Sequence, residues 1–170
     1  MSKKTFVGLA LVMLLTLVTV PMSSAKGVEY RANGKDLSYP DPGPNPSSVV
    51  VGGNWNIKVK GEKVDFTLFY KELNLIPELE GGAPAGSVDH FYMSLIEASY
   101  VNIQPDGTCY VYGVFNINKW AWMPEGSTPP MVHIYNFLGN QEGWFLITPD
   151  GLELHAGPWN LIGSTTTIHQ

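Results

Sequence analysis

The sequence carries little charge, and the balance of that charge is weakly negative. Only 15% of its 170 residues are charged, and 10 Lys and Arg against 15 Asp and Glu give a formal net charge of −5 at pH 7. Nucleic-acid-binding domains instead concentrate Lys and Arg on one face or along one stripe. The composition therefore predicts no nucleic-acid partner.

Cysteine is nearly absent, because Cys109 is the only one in the chain. A single cysteine excludes an intrachain disulfide. A reactive thiol needs a base or a positive charge beside it, and the neighbours Thr108 and Tyr110 provide neither. We therefore expect Cys109 to be a small buried residue within a strand.

The short motifs of common catalytic sites are also missing. There is no Gly-x-Ser-x-Gly, and residues 51–54 lack the Lys and the following helix of a phosphate-binding loop. The histidines at 90, 133, 155 and 169 have no metal-ligand spacing, so no metal site is predicted. Five carboxylates could supply a glycosidase pair, but nothing fixes two of them across a cleft, and we expect them to be solvated. They are Glu72, Glu78, Glu80, Asp89 and Glu97. No catalytic residue and no cofactor is predicted.

The N-terminal 25 residues have the pattern of a secretory signal peptide. Lys3 and Lys4 precede an apolar run over residues 5–20, and Ser23-Ser24-Ala25 supplies small residues for cleavage after Ala25. The run is shorter than the roughly 20 residues of a membrane-spanning helix, which favours a cleaved signal peptide. An uncleaved N-terminal anchor is the alternative. Only through that anchor would the protein contact a membrane. No acceptor for N-glycosylation is present, which fits a prokaryotic protein that is secreted or displayed at the cell surface.

Residues 26–48 are rich in glycine and proline. Pro40, Pro42, Pro44 and Pro46 occupy every second position, and each proline fixes its own φ and favours an extended predecessor. Such a run is typical of a solvated spacer. We therefore predict a disordered tether over residues 26–48 and a folded domain over residues 49–170.

The folded domain has the two-residue periodicity of β-strands. Residues 54–60 alternate, Gly61-Glu62-Lys63 forms a turn, and a return strand begins at Val64, which together predict a hairpin. The longest strand signal is Thr108–Trp122, with Cys109, Val111, Gly113, Phe115 and Ile117 on one parity. Residues 73–86 are predicted to be a long loop and residues 131–138 a strand. Pro-Asp-Gly turns follow at 105–107 and 149–151.

Eight to nine short strands at regular spacing indicate an all-β domain. The two architectures that fit are a single antiparallel β-sandwich and a small closed barrel, and the pattern does not choose between them. Beyond the signal peptide no segment has the pattern of an amphipathic helix.

The C-terminal 120 residues or so resemble a small all-β module of unassigned function that recurs in exported and surface-attached bacterial and archaeal proteins. The resemblance is carried by Gly53–Val59 with its return strand, by residues 108–118, by His133–Leu146, and by the stretch from Gly151 to His169. It implies an all-β fold and a location outside the cytoplasm, and it implies no activity.

Aromatic residues give the best functional indication. In the central strand, Thr108–Trp122, the residues that alternate with the Cys109 set include aromatic rings and Asn side chains. Many binding modules stack such rings on sugars or apolar ligands and flank them with amides. The predicted ligand-binding residues are Tyr110, Tyr112, Asn116, Asn118, Trp120 and Trp122. The alternative is that these rings belong to the core.

The leading functional hypothesis is a non-enzymatic binding module at the cell surface that serves adhesion, envelope structure or ligand binding. A cell-surface glycan, or another carbohydrate, and a second envelope protein are the candidate partners. The alternative is a barrel-type hydrolase or isomerase whose interior brings His90 or His133 together with a carboxylate such as Glu97.

Overall fold

The computed structural model describes residues 29–40, 46–76, 84–123 and 126–170, and within them it contains nine strands and no helix. The strands are β1 (Glu29–Ser38), β2 (Ser48–Lys60), β3 (Lys63–Asn74), β4 (Val88–Ile103), β5 (Cys109–Trp122), β6 (Met131–Ile134), β7 (Gln141–Thr148), β8 (Gly151–Ala156) and β9 (Trp159–His169). The predicted signal peptide and the spacer prolines Pro42 and Pro44 lie outside the described residues. A search of the described helices for one long and apolar enough to cross a membrane finds none.

The sheet closes on itself as an eight-stranded antiparallel barrel. Each strand pairs with the next along the chain from β1 to β5, then β5 pairs with β7, β7 with β8 and β8 with β9, and β9 returns to β1. The ninth strand, β6, lies on the same side of β5 as β7. It pairs with β5 at residues 119–122, beyond the part of β5 that pairs with β7. Of the two predicted architectures, the closed barrel is the one that forms.

Strand β1 corrects the predicted tether, because residues 29–38 are part of the barrel. They pair with β2 on one side and β9 on the other. Tyr30, Ala32 and Leu37 are buried in the core, and the Tyr30 hydroxyl donates a hydrogen bond of 3.0 Å to the carbonyl of Gly107. The sequence hid this strand because its inward positions include Ala and Gly, its outward positions are polar, and β-branched residues are absent.

The predicted hairpin is confirmed. Strands β2 and β3 pair in register from Asn54–Phe69 to Lys60–Lys63, and Gly61 takes a positive φ of 60° in the turn. Trp55, Ile57 and Val59 point into the barrel and are at most 2% exposed. The alternation was sufficient here because a sheet with one solvated face leaves a clear period of two.

The predicted strand at residues 131–138 is only half correct. Strand β6 ends at Ile134, and residues 135–138 form a turn in which Asn136 and Leu138 have positive φ values of 48° and 62°. This turn carries the chain from the position of β6 to the start of β7, since both strands occupy the same edge of β5. The alternating aromatic residues Tyr135 and Phe137 have the pattern of a strand. The positive φ values of Asn136 and Leu138 end the strand, and residue type alone did not predict them.

Aromatic packing fills the middle of the barrel. Phe66 stacks on Phe145 with ring centroids 4.3 Å apart, and Phe115 meets both rings edge-on at 6.1 and 6.2 Å. Cys109 is also fully buried, as expected, and burial raises the pKa of its thiol to about 12. This part of the interior is therefore a packed core without room for a ligand.

Replacement of Gly34 by alanine will test whether β1 closes the barrel. A Cβ atom at Gly34 would lie 1.8 Å from the carbonyl oxygen of Ser164 in β9 and 2.5 Å from Nε1 of Trp55. We expect Gly34→Ala to lower the free energy of unfolding by about 3 kcal/mol, measured by urea denaturation. The neighbouring exposed change Lys35→Ala should cost less than about 1 kcal/mol, and equal stability of the two variants would contradict the role of β1.

The burial of Cys109 predicts a stability loss at alkaline pH. The unfolded thiol ionises near pH 9 and the folded one near pH 12, so between these values the folded state holds the extra proton. The contribution of Cys109 to the free energy of unfolding is therefore complete below pH 9 and falls by about 1 kcal/mol per pH unit above it. Urea denaturation at pH 8 and pH 10 gives the decrease in the free energy of unfolding between the two pH values. We expect this decrease to be smaller by about 1 kcal/mol in Cys109→Ala than in the unaltered protein. Identical drops in the two proteins would refute this assignment.

Candidate functional site

A cavity of about 520 Å³ opens at one end of the barrel. It lies where β1 ends, β2 begins, β3 ends and β8 turns into β9, and we call it the mouth cavity. Its rings are those of Tyr39, Phe91, Phe137 and Trp159, and its polar side chains include Ser48, Glu72 and Asn160. The volume lies in the range of about 300–1,000 Å³ that is typical of small-ligand sites, and the open end of a small barrel is a common place for one.

The wall of the mouth cavity is a continuous series of aromatic rings. Tyr70 stacks on Phe91 with centroids 4.8 Å apart and planes within 6°. Phe91 then meets Phe137 at 6.2 Å, and Phe137 meets Trp159 at 6.1 Å. These contacts connect β3, β4, the turn after β6 and the start of β9, so the wall is held by four separate parts of the chain.

Glu72 is the charged side chain on the surface of the mouth cavity. The Ser48 hydroxyl donates a hydrogen bond to its carboxylate. Burial is the main cause that raises the pKa of Tyr39 far above its ordinary value, and the negative charge of Glu72 is the second cause. Burial, followed by the nearby Tyr39 and Glu72, does the same to the pKa of Tyr70, whose hydroxyl is enclosed without a well-formed hydrogen bond. Both phenols are therefore neutral donors at physiological pH.

A buried ion pair lies behind the aromatic wall. Lys119 Nζ is 2.9 Å from Asp89 Oδ2, and the two side chains are 9% and 2% exposed. The Asn74 amide donates a further hydrogen bond of 3.3 Å to the same Asp89 oxygen. Lys119 Nζ also lies 5.4 Å from the ring centroids of both Phe91 and Phe137. The two rings thus separate the ion pair from the mouth cavity.

The structure corrects the expectation that the acidic side chains are solvated. Asp89 is buried, and it lies directly opposite Glu72 in the register of β3 and β4. Glu97 is exposed on the outside of the barrel, and Glu78 and Glu80 lie outside the described residues. The sequence did hold a signal for this cluster, because Lys119 continues the inward parity that ends at Ile117 in the predicted core set.

The histidines lie on the outer surface. His90 and His133 flank Trp120 in the register of β4, β5 and β6, and the His133 ring stacks on Trp120 at 4.2 Å with planes within 3°. His155 bonds to Glu153 at 3.0 Å. The structure therefore does not bring His90 or His133 to Glu97 inside the barrel. Among the described residues, no cluster of three His, Cys, Asp or Glu side chains could hold a metal ion.

The predicted ligand-binding residues all lie on the outward parity of β5, but they form separate contacts. Tyr110 lies 6.0 Å from Trp144, and the Tyr112 hydroxyl donates a 2.9 Å hydrogen bond to Glu142, which raises the pKa of Tyr112. Asn116 and Asn118 bond to each other at 2.9 Å. Trp122 is the last residue of β5, and its side chain is outside the description.

The rings on the outer surface stack on one another. Trp144 packs on His155 at 4.2 Å, Tyr110 packs on Trp144, and Tyr100 meets Tyr110 at 5.9 Å. Trp120 is covered by His133 in the same way. These contacts cover one face of Trp120 and one face of Trp144 with a neighbouring ring, which leaves less ring surface for stacking on a sugar. The concave site that aromatic rings line is the mouth cavity, which the sequence did not predict.

The fold and the mouth cavity define a small antiparallel barrel with a ligand-sized opening at one end. Comparison of the chain with protein-family models, with curated proteins and with solved structures found no match in any of the three.

Removal of one partner from the buried ion pair should be costly. Lys119→Met leaves the Asp89 carboxylate buried beside apolar rings, and we expect it to lower the free energy of unfolding by about 3–5 kcal/mol. The double variant Lys119→Met/Asp89→Asn should recover most of this loss, because no unpaired charge remains. Urea denaturation gives both values, with the change Lys60→Met at an exposed lysine as the control. A single variant as stable as that control would show that the pair is not buried as described.

Proposed function

We propose that this protein is a non-enzymatic ligand-binding barrel, secreted or displayed at the cell surface, that takes a small molecule in its mouth cavity. The observation that carries the proposal is the contrast within the interior. The middle of the barrel is filled by Phe66, Phe115 and Phe145, whereas the mouth leaves about 520 Å³ open between rings and a few polar groups. Polar groups placed among aromatic rings in a concave site are what orient a bound ligand.

The arrangement of side chains favours binding over catalysis. Hydrolysis or isomerisation needs a base or nucleophile in contact with the substrate. In the mouth cavity as described, Glu72 and Ser48 are bonded to each other, and no His, Lys or Cys among the described lining residues is present to complete a catalytic pair or triad. Asp89 and Lys119 are sealed behind Phe91 and Phe137. The alternative of an interior His/carboxylate site lacks support, since His90 and His133 face outward.

Export is supported by the sequence pattern of residues 1–25, and a surface location would suit a barrel that binds a ligand from the surroundings. A second surface supports a second candidate, an envelope protein or glycan bound on the outside. Tyr135 is 77% exposed and Leu138 61% exposed in the turn after β6, near Trp120. Exposed apolar side chains in one neighbourhood are typical of interaction sites.

Ligand-observed NMR with paired variants will distinguish the mouth cavity from the outer surface. The probes are a panel of amines, amino acids and monosaccharides, together with soluble polysaccharides, added to the purified protein. We expect at least one small molecule to bind, and Phe137→Ala, which opens the cavity wall, to weaken binding at least tenfold. The matched change Tyr135→Ala, two residues away in the same turn but on the outside, should leave binding unchanged.

The outer-surface variants Trp120→Ala and Tyr112→Ala provide the opposite comparison. If these variants abolish binding while Phe137→Ala does not, the ligand sits on the outer surface and the proposal is wrong. If neither small molecules nor polysaccharides bind the folded protein, the assignment to ligand binding fails as well.

A further inference from the structure

We infer that the ligand of the mouth cavity is a cation, an organic amine or quaternary ammonium compound held by Glu72 and by the surrounding aromatic rings. This inference rests on the proposed function and adds the chemical class of the ligand to it. Three features of the mouth cavity support it: its charge, its rings and the absence of a competing cation.

The charge of the mouth cavity is negative. Glu72 reaches the cavity surface, where Ser48 donates a hydrogen bond to one side of its carboxylate. A carboxylate has about four lone-pair positions, so acceptor capacity is left for a ligand that donates or carries positive charge. The phenol of Tyr39 is also a titratable group, and it stays protonated because burial and the charge of Glu72 raise its pKa. The ligand therefore meets one full negative charge.

The rings of the mouth cavity are suited to a cation. Tyr39, Phe91, Phe137 and Trp159 line one opening, with Phe91 and Trp159 only 5% and 8% exposed, and aromatic cages recognise quaternary ammonium groups. Two of these rings already contact an ammonium group of the protein itself, since Lys119 Nζ lies 5.4 Å from the centroids of Phe91 and Phe137. Because two cations over one ring repel each other, the ligand cation is expected over Tyr39 and Trp159, the lining rings that Lys119 is not placed over.

The protein's own cations do not oppose this ligand. Lys119 is neutralised by Asp89 at 2.9 Å and is 9% exposed, so an anionic ligand would have to displace Asp89 to reach it. Among the described residues that line the cavity, none is Lys, Arg or His.

The test compares choline with 3,3-dimethyl-1-butanol, a neutral molecule of nearly the same shape. Both are titrated into the purified protein by calorimetry or by ligand-observed NMR at pH 7. We expect choline to bind at least tenfold more tightly than the neutral alcohol. The isosteric change Glu72→Gln should reduce choline affinity about tenfold and leave the alcohol unchanged, so that the two affinities converge. Glu142→Gln, which alters a carboxylate bonded to Tyr112 on the outer surface, is the matched control and should change neither.

The outcomes separate the ligand class from the proposed function. Equal binding of choline and the alcohol, unaffected by Glu72→Gln but weakened by Phe137→Ala, would overturn the cation inference and keep the mouth cavity as the site. Preferential binding of acetate or another anion would also overturn it. If neither probe binds, and no member of the small-molecule panel binds either, the proposed function itself is wrong. Trp159→Leu gives a second check, because loss of a cage ring should weaken choline more than the alcohol.

Discussion

Closure of the sheet is the constraint on which the rest of this structure depends. Eight antiparallel strands form a barrel without free edges only because β1 pairs with both β2 and β9. Closure sends alternate residues of every strand into one shared interior, and each must either fill space or satisfy its polar groups there. The close approach of β1 to β9 leaves no volume for a side chain at residue 34, which explains the glycine at that position.

The interior is divided along the barrel axis because charge is costly to bury. Buried aromatic and aliphatic side chains occupy the middle, and the charged residues Asp89, Lys119 and Glu72 lie at the mouth. There Lys119 satisfies Asp89 and Asn74 adds a hydrogen bond, which offsets the desolvation of both ions. Glu72 remains at the cavity surface with Ser48 as its hydrogen-bond partner. The same separation produces a rigid core and a polar, ring-lined opening.

The outer surface shows why residue type alone does not identify a binding site. Tyr110, Trp144 and His155 come from three strands, and the register of the sheet places them in contact as cross-strand pairs that stabilise it. Rings on the outside of a small barrel can therefore serve the sheet itself. The rings around the mouth differ because they surround an open volume, and this difference depends on the course of the chain and not on composition.

The sequence by itself determined the all-β class, the β2–β3 hairpin, the inward parity of β5 and the burial of Cys109, because each follows from local alternation or from turn residues such as Gly61. It could not determine the membership of β1, whose alternation is carried by small and polar residues, or the choice of barrel over sandwich. Those depend on pairings between distant segments, such as β1 with β9. The mouth cavity was equally out of reach, since Tyr39, Glu72, Phe91, Phe137 and Trp159 are far apart along the chain and only closure of the sheet brings them together.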